Sequence, residues 1–373
     1  MKILYVTTIS GTMNFFKSFI NELIKNGHAV ELACNCETPV DSFYDDLGCV
    51  VHSISFSRSP LSKSNLTAYK QLKTLVETGE YDIVHCHTPV AAMITRLACR
   101  GVRKKGTKVF YTAHGFHFYK GAPKLNWLIY YPIEKICSYF TDVLITINKE
   151  DYALAQKRFK AKKVEYVPGV GIDVNKFANP GVTKEQKREE LGIPQDAKLL
   201  ISVGELNKNK NHETVIRAIK DLDVYYIIAG YGELQDYLQN LIDELNLSDR
   251  VKLLGYRTDI AELNAAADIF VFPSFREGLP VSLMEAMASG LPCIVTKIRG
   301  NVDLITDGEG GYLCNPSSPQ EFAKAIENIL NNGSLIETMQ NTNIQKVKGF
   351  DVLNISKKMQ EIYEVFGGKN ENF

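Results

Sequence analysis

Apolar positions along the chain alternate between two periods. Residues 3–6 form a short run of apolar residues, Ile3-Leu4-Tyr5-Val6, of strand length. Phe15, Phe16, Phe19, Ile20, Leu23 and Ile24 then recur at helical spacing. Gly27 stops that helix, and further strands are predicted at 29–33, 50–54, 83–86, 109–112, 143–147 and 164–167. The stretch 168–180 carries closely spaced glycines and prolines with no period, and the alternation restarts after it. A charged helix at 183–191 leads into predicted strands at 199–203, 225–229, 251–254, 269–272 and 293–296. A last helix, 352–366, has no strand after it. Alternating β and α units imply parallel sheets covered on both faces. The expected architecture is α/β, with Rossmann-like domains at 1–172 and 173–350. The segment 351–373 is expected to be a helix and tail packing back on the first domain. Two doubly wound halves of this kind bind ligands at the carboxyl ends of their strands, so a cleft between them is expected.

Composition narrows the class. Of the 373 residues, 45% are hydrophobic and 23% charged, which excludes disordered, collagenous and disulfide-stapled chains. The 43 basic and 43 acidic residues cancel, so net charge points to no nucleic-acid partner. Cys34-x-Cys36 has no second pair at zinc spacing, and the eight cysteines read as reduced thiols of a cytosolic protein. The apolar stretch 125–147 contains Glu134, Lys135 and Asp142, which argues against a spanning helix, and residues 1–9 read as a strand rather than a leader.

Candidate chemistry concentrates after the predicted strand 269–272, in Phe275-Arg276-Glu277-Gly278-Leu279-Pro280-Val281-Ser282-Leu283-Met284-Glu285. Pro280 suits a helix start, and the free N–H groups of Val281, Ser282 and Leu283 would form an anion site there. A carboxylate is repelled by a diphosphate, so Glu277 and Glu285 are better suited to accept hydrogen bonds from sugar hydroxyls. His114 follows the strand 109–112. His85-x-His87 places two rings on one strand face, but no third ligand cluster is specified and no metal site is assigned.

Glu277 and Glu285 in this setting resemble the signature of the retaining glycosyltransferases of family four, which have the GT-B fold. The resemblance extends through Leu253-Leu254-Gly255-Tyr256, Ala267-Asp268-Ile269-Phe270-Val271-Phe272-Pro273-Ser274 and Gly310-Gly311-Tyr312. In the first half, His85-Cys86-His87-Thr88-Pro89 and Tyr111-Thr112-Ala113-His114-Gly115-Phe116-His117 are similar to bacterial capsule and exopolysaccharide members. The resemblance implies that Glu285 holds the nucleotide ribose and that Glu277 lies beside the donor sugar. It likewise places the Val281–Leu283 amides and Lys210 on the diphosphate, and His114 on the sugar from the other half. Gly230 and Gly255 would line the nucleotide side, with Tyr256 either stacking on the base or packing. Two departures stand out. Position 205 is Glu where most members have Arg, leaving Lys208 and Arg276 as candidate replacements. The usual Gly-Gly after the first strand is reduced to Ser10-Gly11-Thr12, in which Gly11 still lets the backbone approach a phosphate.

The function so implied is a retaining, metal-independent hexosyltransferase without a cofactor. It would take a UDP-hexose or UDP-N-acetylhexosamine donor and a lipid-diphosphate-linked saccharide acceptor in capsule or exopolysaccharide biosynthesis. A UDP-sugar epimerase and a non-catalytic nucleotide-sugar-binding protein are the alternatives. Basic residues Arg100, Arg103, Lys104, Lys105 and Lys108, followed by the aromatic segment 116–131, suggest peripheral contact with the inner face of the cytoplasmic membrane.

Overall fold

The structure, a computed structural model, describes residues 1–368. Seven strands form the first sheet: β1 (Lys2–Ile9), β2 (Ala29–Asn35), β3 (Val50–Ser53), β4 (Ile83–His87), β5 (Lys108–Ala113), β6 (Val143–Thr146) and β7 (Lys163–Tyr166). Their spatial order is β3-β2-β1-β4-β5-β6-β7, all parallel. Six strands form the second: β8 (Leu199–Val203), β9 (Tyr225–Ala229), β10 (Val251–Leu253), β11 (Ile269–Phe272), β12 (Cys293–Thr296) and β13 (Gly311–Cys314). Their order is β10-β9-β8-β11-β12-β13, again all parallel. The chain divides into two compact units, Met1–Gly171 with the residues from Val352 on, and Ile172–Asp351. Residues 369–373 of the expected C-terminal tail lie outside the described residues.

The parallel arrangement follows from burial on both faces. Every residue of β4, β11 and β12 is buried, which suits strands sandwiched between helical layers. In the first unit, separate apolar clusters cover the two faces of the sheet. The helix Val352–Gly367 completes one of them: Ile355, Met359, Ile362 and Tyr363 sit with Ile3, Tyr5 and Phe19. Their spacing of four, three and one residues is a single helical stripe. The helix Lys184–Leu191 starts at a capping box, Thr183 with Gln186. Its charged run is not simply a solvated face. Lys187 is buried against Asp259 and Glu262, and Arg188 reaches Asp268 at 2.9 Å.

Three local features differ from the sequence pattern. The residues 15–26 split into a 3₁₀ segment, Ser10–Phe16, and the helix Lys17–Lys25. Strand β13 has no apolar run to announce it, because Gly310-Gly311 reads as a turn. Gly311 is required by the close approach of β12: a Cβ there would lie 1.7 Å from the Cys293 carbonyl oxygen.

The third concerns the aromatic segment. Phe116 and Phe118 are buried, and Trp127, Tyr130 and Tyr131 pack against the same core. The helix Lys124–Ser138 instead exposes Leu125, Leu128, Ile129 and Ile136, with exposed Tyr139 just beyond it. Arg103 is not a free surface cation. It grips Asp142 through two nitrogens, at 2.8 and 3.0 Å, and donates to the Tyr139 carbonyl. Among the described residues no helix is long and apolar enough to cross a membrane.

Candidate active site

Strand order reverses between β8 and β11, and the loops leaving these two strands meet there. Phe275 N–H donates to the Asn209 carbonyl at 2.8 Å, Asn209 Nδ2 to the Arg276 carbonyl at 3.0 Å, and Asn211 Nδ2 to the Pro273 carbonyl at 3.0 Å. Asn211 takes a left-handed conformation, φ +56°, a position that asparagine tolerates better than most residues. This lacing brings Lys210 Nζ to 2.8 Å from Glu277 Oε1, with the ammonium 4.7 Å from the centroid of the Phe272 ring. Both side chains are largely shielded from water.

The helix Val281–Ala288 starts just past Glu277, with Pro280 at its N-cap position and no side chain capping it. The amides of Val281, Ser282 and Leu283 therefore have no intrahelical acceptor and concentrate partial positive charge at that end. Glu285 stands farther along the same helix, half-buried. Burial pushes its carboxyl pKa up to about 7, partly opposed by the charge of Lys176. A buried cation not singled out from the sequence joins the group: Arg299 Nε donates to the Glu277 carbonyl at 3.1 Å. Its only sequence signal is its place three residues beyond β12.

Beside this cluster the ends of β8, β9 and β10 are stitched through backbone. Gly204 N–H donates to Ala229, Leu206 N–H to Tyr231 and Gly230 N–H to Gly255. Any Cβ on Gly230 would lie 1.9 Å from the Gly204 carbonyl oxygen, so only glycine closes the turn. Tyr256 is 73% exposed, so packing does not account for it, and it meets the exposed Tyr231 edge-on at 6.1 Å between centroids. Tyr231 was not distinguished by sequence. Glu205 and Arg276 are both exposed, and Glu205 accepts from Asn207 Nδ2 at 2.8 Å.

His114 and Gly11 belong to the first unit. Gly11 is exposed in the 3₁₀ segment, and a Cβ there would touch no protein atom, so the protein's own packing does not demand glycine. His114 Nε2 lies 3.0 Å from Nδ1 of His87. His87 ends β4, and the next residue, Thr88, has φ +62°, an outlier for a β-branched side chain. Thr8 holds it there, with its N–H and its hydroxyl 3.1 and 2.6 Å from Thr88 Oγ1. The strained residue sits at the β1/β4 reversal of strand order, the first sheet's counterpart of β8/β11. His85 has both ring nitrogens engaged, one by the Tyr363 hydroxyl and one by Thr112 Oγ1.

The chain matches the family described as glycosyl transferases group 1 over residues 183–346 and that described as glycosyl transferase 4-like over residues 2–148. It is 37% identical over 376 residues to EpsD of Bacillus subtilis (strain 168), covering 98% of this chain and 97% of that one. It is 30% identical over 353 residues to the UDP-Gal:alpha-D-GlcNAc-diphosphoundecaprenol alpha-1,3-galactosyltransferase of Escherichia coli, covering 90% and 88%. The structure of Anabaena HepE in complex with UDP and glucose shares the fold, with a TM-score of 0.81 at 21% identity, covering 98% of this chain and all of that one. The chain belongs to the glycosyl transferases group 1 family and is a glycosyltransferase of the GT-B fold.

Proposed function

We propose that the protein transfers a sugar from a UDP-sugar to a lipid-diphosphate-linked saccharide, with retention at the anomeric carbon, in the assembly of a surface polysaccharide. The observation that carries this reading is the meeting of Lys210, Glu277 and an uncapped helix N-terminus at the β8/β11 reversal. A diphosphate fits such a site, with the amides of Val281–Leu283 and Lys210 holding its oxygens. Glu285 accepts from the ribose hydroxyls, Glu277 from the donor sugar, and Tyr256 stacks on the base. The Escherichia coli relative, named for a UDP-Gal donor and a diphosphoundecaprenol-linked acceptor, supports both substrates.

In the reaction, the bond from the anomeric carbon to the β-phosphate oxygen breaks and its electron pair stays on the phosphate. The acceptor hydroxyl oxygen bonds the same carbon from the same face, and its proton passes to the departing phosphate oxygen. Lys210 and the helix amides stabilise charge that grows on the leaving group, work that requires no metal or other cofactor. Purified protein incubated with UDP-hexoses or UDP-N-acetylhexosamines and a polyprenyl-diphosphate saccharide should yield a lengthened lipid-linked product with an α anomeric coupling. A β product overturns retention. A new sugar nucleotide formed without acceptor identifies an epimerase, and binding without turnover identifies a nucleotide-sugar-binding protein.

The same proposal places the enzyme peripherally at the inner membrane face. Exposed Leu125, Leu128, Ile129 and Ile136 share their helix with exposed Lys124 and Lys135, and exposed Lys104, Lys105 and Lys120 belong to the same unit. Apolar and basic groups exposed on the same unit suit an anionic bilayer. Each lysine near such a surface is worth roughly 1 kcal/mol, screened by salt. Binding to anionic vesicles should fall with added salt and drop sharply in a Leu125→Ser, Leu128→Ser, Lys104→Ser, Lys105→Ser variant. Arg103 is left intact because it holds Asp142. Binding that ignores salt, or none, sinks the docking idea.

A further inference from the structure

His87 and His114 end as neighbours because β4 and β5 pair in register, His87 opposite Thr112. Burial keeps both rings neutral, lowering the His114 pKa to about 4 and that of His87 well below its ordinary value. A neutral imidazole carries one N–H and one lone pair. Across the 3.0 Å contact, therefore, one nitrogen donates and the other accepts, and the tautomer of one ring dictates that of the other.

The far side of His87 decides which. Its ring stacks on Tyr5 at 4.7 Å, with Phe16 at 4.3 Å and His85 at 4.2 Å between centroids. Its Nε2 is buried and has no partner among the described residues. His85 offers none, since the Tyr363 and Thr112 hydroxyls occupy both its nitrogens. Among backbone groups an orphaned buried N–H is rarer than an under-satisfied carbonyl, and the same preference for a bare acceptor over a bare donor applies to this imidazole. The proton of His87 consequently sits on Nδ1, and the bare lone pair is the one left in the apolar surroundings.

We propose that His87 is a positioning residue: its Nδ1–H occupies the only lone pair of His114, which leaves His114 with its proton on Nδ1 as a hydrogen-bond donor and not a base. In this tautomer His114 can donate a hydrogen bond to a hydroxyl but cannot take the acceptor's proton, which goes to the phosphate oxygen. This consequence rests on the glycosyl-transfer reading, whereas the tautomer does not.

Two arms test the proposal separately. The full-length protein is labelled with ¹⁵N in both histidine ring nitrogens, and two-bond proton–nitrogen correlations separate the tautomers. Signals lost in His87→Asn and His114→Gln assign the two rings among the seven histidines. The expected result is Nδ1–H on both, and a proton on Nε2 of His114 overturns the proposal. This readout stands even if no sugar transfer is ever found, so failure of the functional reading is recognised on its own.

The second arm uses His87→Asn, whose amide nitrogen takes the place of Nδ1, beside His87→Leu, which offers no donor. The leucine variant should have kcat about tenfold below the asparagine variant, the size of one neutral hydrogen bond. UDP affinity should be the same in both, because UDP lacks the sugar. Equal kcat in the two variants overturns the proposal. If the leucine variant does not fold, the wild-type tautomer spectrum decides.

Discussion

Lys210→Ala is expected to lower kcat by about 10²–10³, the typical loss when one preorganised electrostatic donor is removed from a developing anion. The Michaelis constant for the donor should change far less. In the ground state the diphosphate charge is already spread over several oxygens, and in the proposed site the Val281–Leu283 amides would still hold it. Negative charge on the leaving oxygen peaks in the transition state, so an ammonium aimed there contributes mainly to kcat. Its 2.8 Å contact with Glu277 holds the ammonium in place. Loss of the lysine also leaves the Glu277 carboxylate without its partner. Thermal unfolding must therefore be measured beside turnover, and Glu277→Gln serves as the control that keeps the cation. A folded Lys210→Ala enzyme with kcat within threefold of wild type removes Lys210 from the chemistry. Full activity in EDTA fits this charge assignment, and rescue of an EDTA-inactivated enzyme by one divalent ion counts against it.

Much of this arrangement was legible in the chain because parallel sheets write themselves as uninterrupted apolar runs. Ile269-Phe270-Val271-Phe272 and Leu199-Leu200-Ile201-Ser202-Val203 could be located to the residue, and the loops after them follow from strand direction alone. Strand order is different. That β8 and β11 are neighbours, and hence that Lys210 meets Glu277 across 67 positions, is set by how crossovers wind, which a linear pattern does not encode. Arg299 escaped for a related reason. Its Nε bonds the Glu277 carbonyl 22 positions away, and nothing in Lys297-Ile298-Arg299-Gly300 distinguishes a buried guanidinium from a solvated one. Aromatic residues misled in the opposite direction. Trp127, Tyr130 and Tyr131 pack on the core while Leu125 and Leu128 face water, because only the helix phase, not composition, decides which side of 124–138 is covered. The His87–His114 contact is likewise invisible in sequence, since it needs β4 and β5 to be adjacent and in register.

Glu285→Ala is expected to weaken UDP binding by about 1–3 kcal/mol, the cost of leaving ribose hydroxyls without their acceptor. The raised pKa supplies a second signature of the same assignment. With a carboxyl pushed up to about 7 by burial, the free protein holds Glu285 largely protonated at pH 6 and largely ionised at pH 8. On the proposed assignment ribose hydroxyls donate to the carboxylate, so binding should favour the ionised form and release a proton near pH 7. UDP affinity should rise from pH 6 to pH 8, after allowance for ionisation of UDP itself, and the share of proton release beyond that of UDP should vanish in Glu285→Gln. Stability of the free protein moves the other way. A carboxyl whose folded pKa lies above its unfolded one binds more protons in the native state. Its contribution is therefore fullest below the ordinary carboxylate pKa and is lost as pH rises through about 7. Glu285→Gln should flatten that loss between pH 5 and pH 8. Calorimetry in buffers of differing ionisation enthalpy reads the proton, and thermal unfolding across pH reads the slope. Unchanged UDP affinity in a folded Glu285→Ala protein, or proton uptake on binding by the wild type, takes Glu285 off the ribose.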